Sequence, residues 1–314
     1  MRLKKPNFWD LKKPNVFAIL LKPLSKIYEL IFKIKRRNGE SFRGIKTICI
    51  GNIYIGGTGK TSLAIKIKEI LNSKNVKSCF VKKYHKNQID EQKLLSKYGK
   101  VFISNTRKQA LEKAILEKYE FAIFDDGLQD QSIKYDFSFI CFNSLNGFGN
   151  GLTIPAGPLR ENINNLINYH NVFLNGNGEQ TNHIKDQMKM INPNLNIIET
   201  KYISVNNKHL DKNEDYLVFS GIGNHGTFIN MLKNEGYNVI EDIEFPDHYN
   251  YTKKDLQNIF SIADKKKLKI LTTEKDYLRI GPINLNKIHC IESALELTKE
   301  EKLIDILKIN NETN

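Results

Sequence analysis

Gly51-Asn-Ile-Tyr-Ile-Gly-Gly-Thr-Gly-Lys-Thr61 follows an apolar run, Ile45 to Ile50, and precedes a helix-like stretch, Ser62 to Leu71. Strand, glycine-rich turn and helix in that order are the setting of a phosphate-binding loop. The glycines let backbone N–H groups converge on phosphate oxygens. The positive end of the following helix dipole then faces the anion. In this pattern Lys60 reaches the β- and γ-phosphates and the Thr61 hydroxyl ligates Mg2+. Gly56, Gly57, Thr58, Gly59, Lys60, Thr61 and Ser62 are therefore the expected nucleotide-binding residues. The usual loop has a glycine where this chain has Tyr54. The segment fits the shorter form Gly-Gly-x-Gly-Lys-Thr, Gly56 to Thr61.

The 314 residues are enough for two domains, and 40% hydrophobic with 26% charged residues describes a globular chain. The four cysteines, Cys49, Cys79, Cys141 and Cys290, form no Cys-x-x-Cys pair. They read as buried thiols, with neither a disulfide framework nor a zinc cluster. The net charge of +13 is concentrated. Residues 1–37 hold eleven Lys or Arg against Asp10 and Glu29, which is +9 of the total. The remaining +4 (13 minus 9) gives no general nucleic-acid footprint.

The basic N-terminus is also apolar. Phe8, Trp9, Leu11, Val16, Phe17, Ile19, Leu20 and Leu21 precede Leu24, Ile27, Tyr28, Ile31 and Ile34, which fall at helical spacing. An apolar face with basic flanks and one early Trp describes an amphipathic helix lying on an anionic membrane surface. The longest unbroken apolar run, Val16 to Leu21, is far short of the ~20 residues of a span. Pro14 and Pro23 are expected to interrupt the helix. No small-residue cleavage site marks a signal peptide.

Beyond the phosphate loop, strands alternate with helices: Ser78 to Val81, Val101 to Ser104, Phe121 to Phe124 and Phe137 to Phe142 are strand-like, and Gln109 to Lys118 is helical. Residues 175–215, polar and rich in Asn and Lys, read as a linker containing an exposed strand, Asn196 to Val205. A second alternating unit begins at Tyr216. The expected architecture is a P-loop NTPase-like three-layer α/β/α domain plus a smaller C-terminal α/β domain, with an N-terminal amphipathic helix. The expected boundaries are 1–37 for the helical segment, 38–205 for the P-loop core and 206–314 for the C-terminal domain.

Phe121-Ala-Ile-Phe-Asp-Asp126 has the form of a Walker B strand, which delivers a carboxylate to the metal beside a phosphate loop. Mg2+ keeps several waters, so one or two carboxylates suffice. Asp90-Glu91 lies in a polar stretch read as a loop near the strand ends, where ligands of parallel sheets gather. Pro246-Asp-His-Tyr249 carries His248, a possible acid–base group, and Thr272-Thr-Glu-Lys-Asp276 ends a strand of the same unit. His225 lies on a glycine turn, Gly-Asn-His-Gly.

Taken together, these segments resemble the tetraacyldisaccharide 4′-kinases, the lipid A 4′-kinases of Gram-negative bacteria. The ordered set that carries the resemblance is Gly51 to Thr61, Asp90-Glu91, Asp125-Asp-Gly-Leu-Gln129, Gly149-Asn-Gly151, Pro155-Ala-Gly-Pro-Leu-Arg-Glu161, Phe219-Ser-Gly-Ile-Gly-Asn224, Phe245-Pro-Asp-His248 and Thr273-Glu-Lys-Asp276. It covers nearly the whole chain. The resemblance implies ATP- and Mg2+-dependent transfer of a phosphoryl group to the 4′-hydroxyl of a lipid A disaccharide 1-phosphate, at the cytoplasmic face of the inner membrane. By the same resemblance Lys60 and Thr61 hold phosphate and metal, and Asp90 is the base with His248 its partner across a cleft. Glu91 supports them, Asp125, Asp126 and Gln129 form the metal region, and Arg160 and Glu161 line the acceptor site. A β-type linker joins the two domains. The chain departs from the family pattern at Asp130, where His is usual, at Ile89, where Gly is usual, and across Val81-Lys-Lys-Tyr-His85, where Ser-Arg-Gly-Tyr is usual.

Two rivals make different demands. A P-loop GTPase or metallochaperone needs a guanine-reading Asn-Lys-x-Asp or a His/Cys cluster, and neither is present. A non-enzymatic membrane-binding module would keep its binding after loss of Lys60.

Overall fold

The computed structural model describes all residues except 1–4, 35–38, 86–88, 131, 177–178, 206, 208–209, 282–284 and 310–314. Of Phe32, Ile34, Asp90 and Leu285 it describes the backbone alone.

The apolar run before the phosphate loop is β1 (Lys46–Gly51), buried along all but its first residue. Its neighbours are the equally apolar β4 (Phe121–Asp125) and β5 (Phe137–Asn143), both parallel to it. Such runs are apolar on both sides because helices cover both faces of a parallel sheet. On one face lies α2 (Lys60–Ser73), whose Leu63, Ala64, Ile67 and Leu71 pack on Ile48 and Ile50, together with Leu303 and Leu307 of α9 (Glu300–Leu307). On the other, α4 (Arg107–Leu116) sets Ala110, Leu111 and Ala114 against Ala122 and Phe124. α5 (Glu179–Ile191) sets Ile184 and Met188 against Phe142 and Leu174. Thr106 caps α4 by accepting from the Gln109 N–H.

Adding β2 (Ser78–Lys83), β3 (Val101–Ser104), β6 (Asn171–Asn175) and β7 (Asn196–Val205) gives a parallel block in the order β3-β2-β4-β1-β5-β6-β7. A second parallel block, β11-β10-β8-β9, is built from β8 (Asp215–Ser220), β9 (Asn238–Glu244), β10 (Lys269–Thr273) and β11 (Ile288–Leu297). Its helices are α6 (His225–Asn234), α7 (Lys253–Lys266) and α8 (Glu274–Ile280).

The two blocks share one sheet through β7 and β11. β7 pairs with β6 over Asn196–Thr200 and then with β11, antiparallel, over Thr200–Val205. β11 pairs with β10 over Ile288–Ile291 and with β7 over Glu292–Leu297. Each of these ten-residue strands is half in its own block and half in an antiparallel ribbon. The blocks therefore run in opposite directions, and the carboxyl ends of their parallel strands face each other. Residues 175–215, expected as a linker, contain α5 and this ribbon strand. Their polar composition reflects one solvated helix face and a ribbon that is only half covered.

α1 (Val16–Ile34) runs through Pro23 without a break. Pro14 precedes it, so the expected interruption does not occur. Ser25, two residues beyond Pro23, is buried, donates to the Thr153 carbonyl at 2.7 Å and accepts from the Ala156 N–H at 3.0 Å. That pair pins α1 to the loop before Arg160. Ala18 also faces inward, while Val16, Phe17, Ile19, Leu20, Leu24, Ile27, Leu30 and Ile31 are exposed. The apolar face expected from the spacing thus points away from the protein. No described helix is long and apolar enough to cross a membrane.

Candidate active site

The phosphate loop is held open by two left-handed glycines, Gly56 (φ 125°) and Gly59 (φ 88°), the latter capping α2. A side chain is disfavoured there, because L-residues rarely adopt such φ values. Tyr54, the departure from the usual pattern, is buried and carries its hydroxyl to Asp10 and to Lys5 Nζ, the latter at 2.9 Å. The loop is thereby tied to the N-terminal segment. Trp9 ties the same segment to the loop before Arg160, donating from its indole to the Pro155 carbonyl at 3.0 Å. Tyr202 of β7 closes the other side, donating to Ser62 Oγ at 3.1 Å.

The turn after β8 lies directly on this loop. A Cβ at Gly223 would stand 2.3 Å from the Gly57 nitrogen, and one at Gly57 would stand 2.7 Å from the Asn224 nitrogen. Only glycines allow that approach. The turn is fixed by Asp276, which accepts from the Gly221 N–H at 3.1 Å, from Tyr251 at 2.9 Å and from Thr273 Oγ1 at 2.7 Å.

Asp125 ends β4 with one oxygen, Oδ2, 3.4 Å from Thr61 Oγ1 and 2.7 Å from Lys82 Nζ. Its other oxygen, Oδ1, is buried without a hydrogen-bond partner, as are Thr58 Oγ1 and Asn224 Nδ2. Buried orphan polar atoms are uncommon and ask for a missing ligand. A carboxylate oxygen beside a threonine hydroxyl is the hard oxygen set that Mg2+ takes, so the residues fit that ion. Asp126 turns the other way, in left-handed backbone (φ 58°). Its carboxylate is 3.8 Å from Lys60 Nζ and 3.3 Å from Arg160. Burial pushes the Asp126 carboxyl up, but Lys60 and Arg160 outweigh it and hold it below the usual carboxylate range.

Gln129 was expected in the metal region. Its amide oxygen accepts from Arg160 at 2.8 Å and its nitrogen donates to the Asn52 carbonyl at 3.1 Å, so it holds the guanidinium in place. Asp130, which departs from the expected His, pairs with Arg107 at 3.1 Å. Arg107 also donates to the Asp126 carbonyl at 2.6 Å. Glu161 accepts from Asn165 and Tyr169, each at 3.0 Å, and lines, with Lys26, Glu29, Lys33 and Arg160, a cavity of about 290 Å³ between α1 and the loop after Arg160.

Asp90 and Glu91 open a helix, α3 (Ile89–Tyr98), rather than lying in a loop. Asp90's side chain lies outside the described set. Glu91 receives Lys82 at 2.6 Å, Lys275 at 3.6 Å and His248 Nε2 at 3.7 Å. Burial raises its carboxyl, yet Lys275, Lys82 and His248 together draw it well below the ordinary value. His248 comes from the second block, in left-handed backbone (φ 56°), with its N–H on the Gly221 carbonyl at 3.0 Å and Nδ1 3.2 Å from Arg279. Asp90 is the residue expected to face His248 across the cleft; the described contact with His248 comes from Glu91.

His225, read as part of a turn, begins α6 instead. It is buried between Ser220 Oγ at 2.6 Å and Asp242 Oδ2 at 3.0 Å, which makes it a brace of the second block. Lys82, Arg107, Lys275 and Arg279 were not singled out from sequence. Lys275 lies inside the Thr272-Thr-Glu-Lys-Asp276 motif, and Lys82 inside Val81-Lys-Lys-Tyr-His85, the lysine-rich stretch that departs from the Ser-Arg-Gly-Tyr pattern.

A family model described as tetraacyldisaccharide-1-P 4′-kinase matches residues 17–311. The chain belongs to this family. Within the tetraacyldisaccharide 4′-kinases, a relative from Pelagibacter ubique (strain HTCC1062) is 58% identical over 314 residues, covering 100% of both chains. Another, from Rickettsia canadensis (strain McKiel), is 34% identical over 324 residues, covering 96% of each. Among solved structures, the apo form of LpxK from Aquifex aeolicus in complex with ATP matches 94% of this chain and 99% of its own. Its TM-score is 0.68 at 22% identity, a likeness of fold.

Proposed function

We propose that the chain transfers the γ-phosphoryl group of ATP to the 4′-hydroxyl of tetraacyldisaccharide 1-phosphate, a step of lipid A biosynthesis. The observation that carries this reading is the meeting of three parts at one point. A phosphate loop, an orphaned Walker B oxygen and the Glu91–His248 contact all lie where the two blocks face each other. Phosphoryl transfer asks little covalent chemistry of a protein, so positioning and charge neutralisation dominate.

Thr61 Oγ1 and Asp125 Oδ1 would hold Mg2+, which when bound neutralises charge on the β- and γ-phosphates. Lys60 binds the same phosphates, and Asp126 orients both Lys60 and Arg160 toward them. Asp90, on the first turn of α3, takes the proton of the attacking hydroxyl. His248 assists from the opposite block, with Glu91 between the two elements. Arg160 and Glu161 border the acceptor, whose sugar fits the cavity beside α1. The exposed apolar face of α1 and its lysines rest on the anionic cytoplasmic face of the inner membrane, so that the lipid's acyl chains stay in the bilayer. Residues 38–205 and 206–314 act as two domains hinged at the β7–β11 ribbon, with α9 (Glu300–Leu307) crossing back to pack on the first.

The test is a transfer assay with labelled ATP, Mg2+ and detergent-dispersed tetraacyldisaccharide 1-phosphate. Labelled lipid from the wild type, lost in Lys60→Ala and in Asp90→Ala, is the expected result. Loss in Lys60→Ala alone would move the base elsewhere. Wild-type protein that binds ATP and forms no labelled lipid would overturn the assignment.

A further inference from the structure

We propose that Lys82 is a positioning residue of the transfer site. Its ammonium, clamped between Asp125 and Glu91, sets the distance between the metal-facing carboxylate and the turn of α3 that carries Asp90. It also leaves Asp125 a single oxygen for a cation. The inference rests on the reading of Asp125 given above.

The placement follows from the sheet. β2 and β4 pair in parallel with Val81 opposite Phe124, so Lys82 ends up beside Asp125. The side chain is 2% exposed, and the Asp125 side chain it meets is 1% exposed. Nζ lies 2.7 Å from Asp125 Oδ2 and 2.6 Å from Glu91 Oε2. A lysine that merely balanced a buried charge would need one carboxylate. This one joins two, from a strand and from a separate helix, with two of its three donors. Because Oδ2 is occupied by the ammonium, the orphaned Oδ1 is the oxygen left for a metal. Glu91 in turn faces His248 and Lys275. A single line of contacts thus runs from Thr61 through Asp125, Lys82 and Glu91 to the second block.

Without the ammonium, two buried carboxylates would face each other. Like charges so close repel, which drives the pair apart or draws in another cation. Either response displaces Asp125 or the first turn of α3. A misplacement of about an ångström can cost on the order of a hundredfold in rate.

Lys82→Met keeps the length of the side chain and removes the charge. Expected are a kcat lower by about a hundredfold and a KM for ATP within about threefold of wild type. In the absence of nucleotide the variant should also take up Mn2+, seen as loss of the free-ion electron paramagnetic resonance signal, where wild type takes up none. Lys82→Arg keeps the charge but has a larger planar head that spreads the carboxylates. It should lose about tenfold in kcat with KM for ATP unchanged, and take up no Mn2+. The proposal is overturned if either folded variant has wild-type kcat, or if Mn2+ uptake by Lys82→Met matches wild type. Should Lys82→Met fail to fold, Lys82→Arg decides by the same kcat criterion. Wild-type protein inactive toward the lipid would sink the functional reading, while the Mn2+ comparison would still judge this one.

Discussion

Charge is arranged at the site so that Asp125, Glu91, Asp126 and Asp130 each face a cation. Lys82 serves Asp125 and Glu91, Lys60 and Arg160 serve Asp126, and Arg107 serves Asp130. Burial alone would raise the Glu91 and Asp126 carboxyls, and the neighbouring cations reverse that. The consequence for stability has a definite sign. Glu91's native pKa is depressed. It therefore contributes stability that is fully present above its unfolded value, about 4.3, and is lost as pH falls through the native value. Glu91→Gln should lower stability at pH 7, because Lys82 and Lys275 lose a partner. The same variant should lose less between pH 5 and pH 2. Urea titrations across that range check it, and equal slopes for the two proteins would refute it. Lys60 and Thr61 were legible in sequence because the spacing of the glycine loop is itself the geometry, and Asp125 because it ends a short, fully apolar strand. Lys82 was not, because its partners lie 9 and 43 positions away and only strand pairing brings them together.

The elements show where local sequence is a good guide. β1, α2 and β4 follow from continuous apolar runs and helical periodicity, since each is buried by its own neighbours in the layer. α3 begins earlier than its apolar residues show, because its first turn is polar and faces the cleft. The glycine turn Gly221-Ile-Gly223 was visible as a motif but its purpose was not. Its backbone touches Gly57, and that contact exists only when the two blocks meet. Gly223→Ala should therefore separate the turn from the phosphate loop and lower kcat/KM for ATP by at least about tenfold, against an unchanged thermal midpoint. Steady-state kinetics with a parallel melting curve decide it. A variant with wild-type kcat/KM would show that the contact has no part in nucleotide handling.

The whole molecule is a sheet whose two halves oppose their carboxyl ends because β7 and β11 pair antiparallel. A ribbon of two strands, only half covered, is a natural place for the halves to move relative to each other. In a Cys290→Ser background, spin labels at the exposed positions Leu116 and Ile240 should show a shorter, narrower distance distribution once an ATP analogue and lipid are added. An unchanged distribution would argue against closure. α1 points its apolar face outward, with Leu20 70% exposed. Leu20→Asp and Ile27→Asp should each reduce partition onto anionic vesicles by about tenfold or more, since each removes a side chain worth ~1.5–3 kcal/mol when buried. Folding should be nearly unaffected, because neither residue packs inside. Co-sedimentation with vesicles tests this, and binding equal to wild type would remove α1 from the membrane reading.

The phosphate loop, the Walker B strand, the α/β alternation and the amphipathic N-terminus were all present in the order of residues, because each depends on neighbours within a few turns of chain. The antiparallel ribbon, the Lys82 bridge, the seat of Gly223 on Gly57 and the pinning of α1 by Ser25 were not. Each of these joins segments far apart in sequence, and their partners are chosen by strand pairing and packing, which no local pattern encodes.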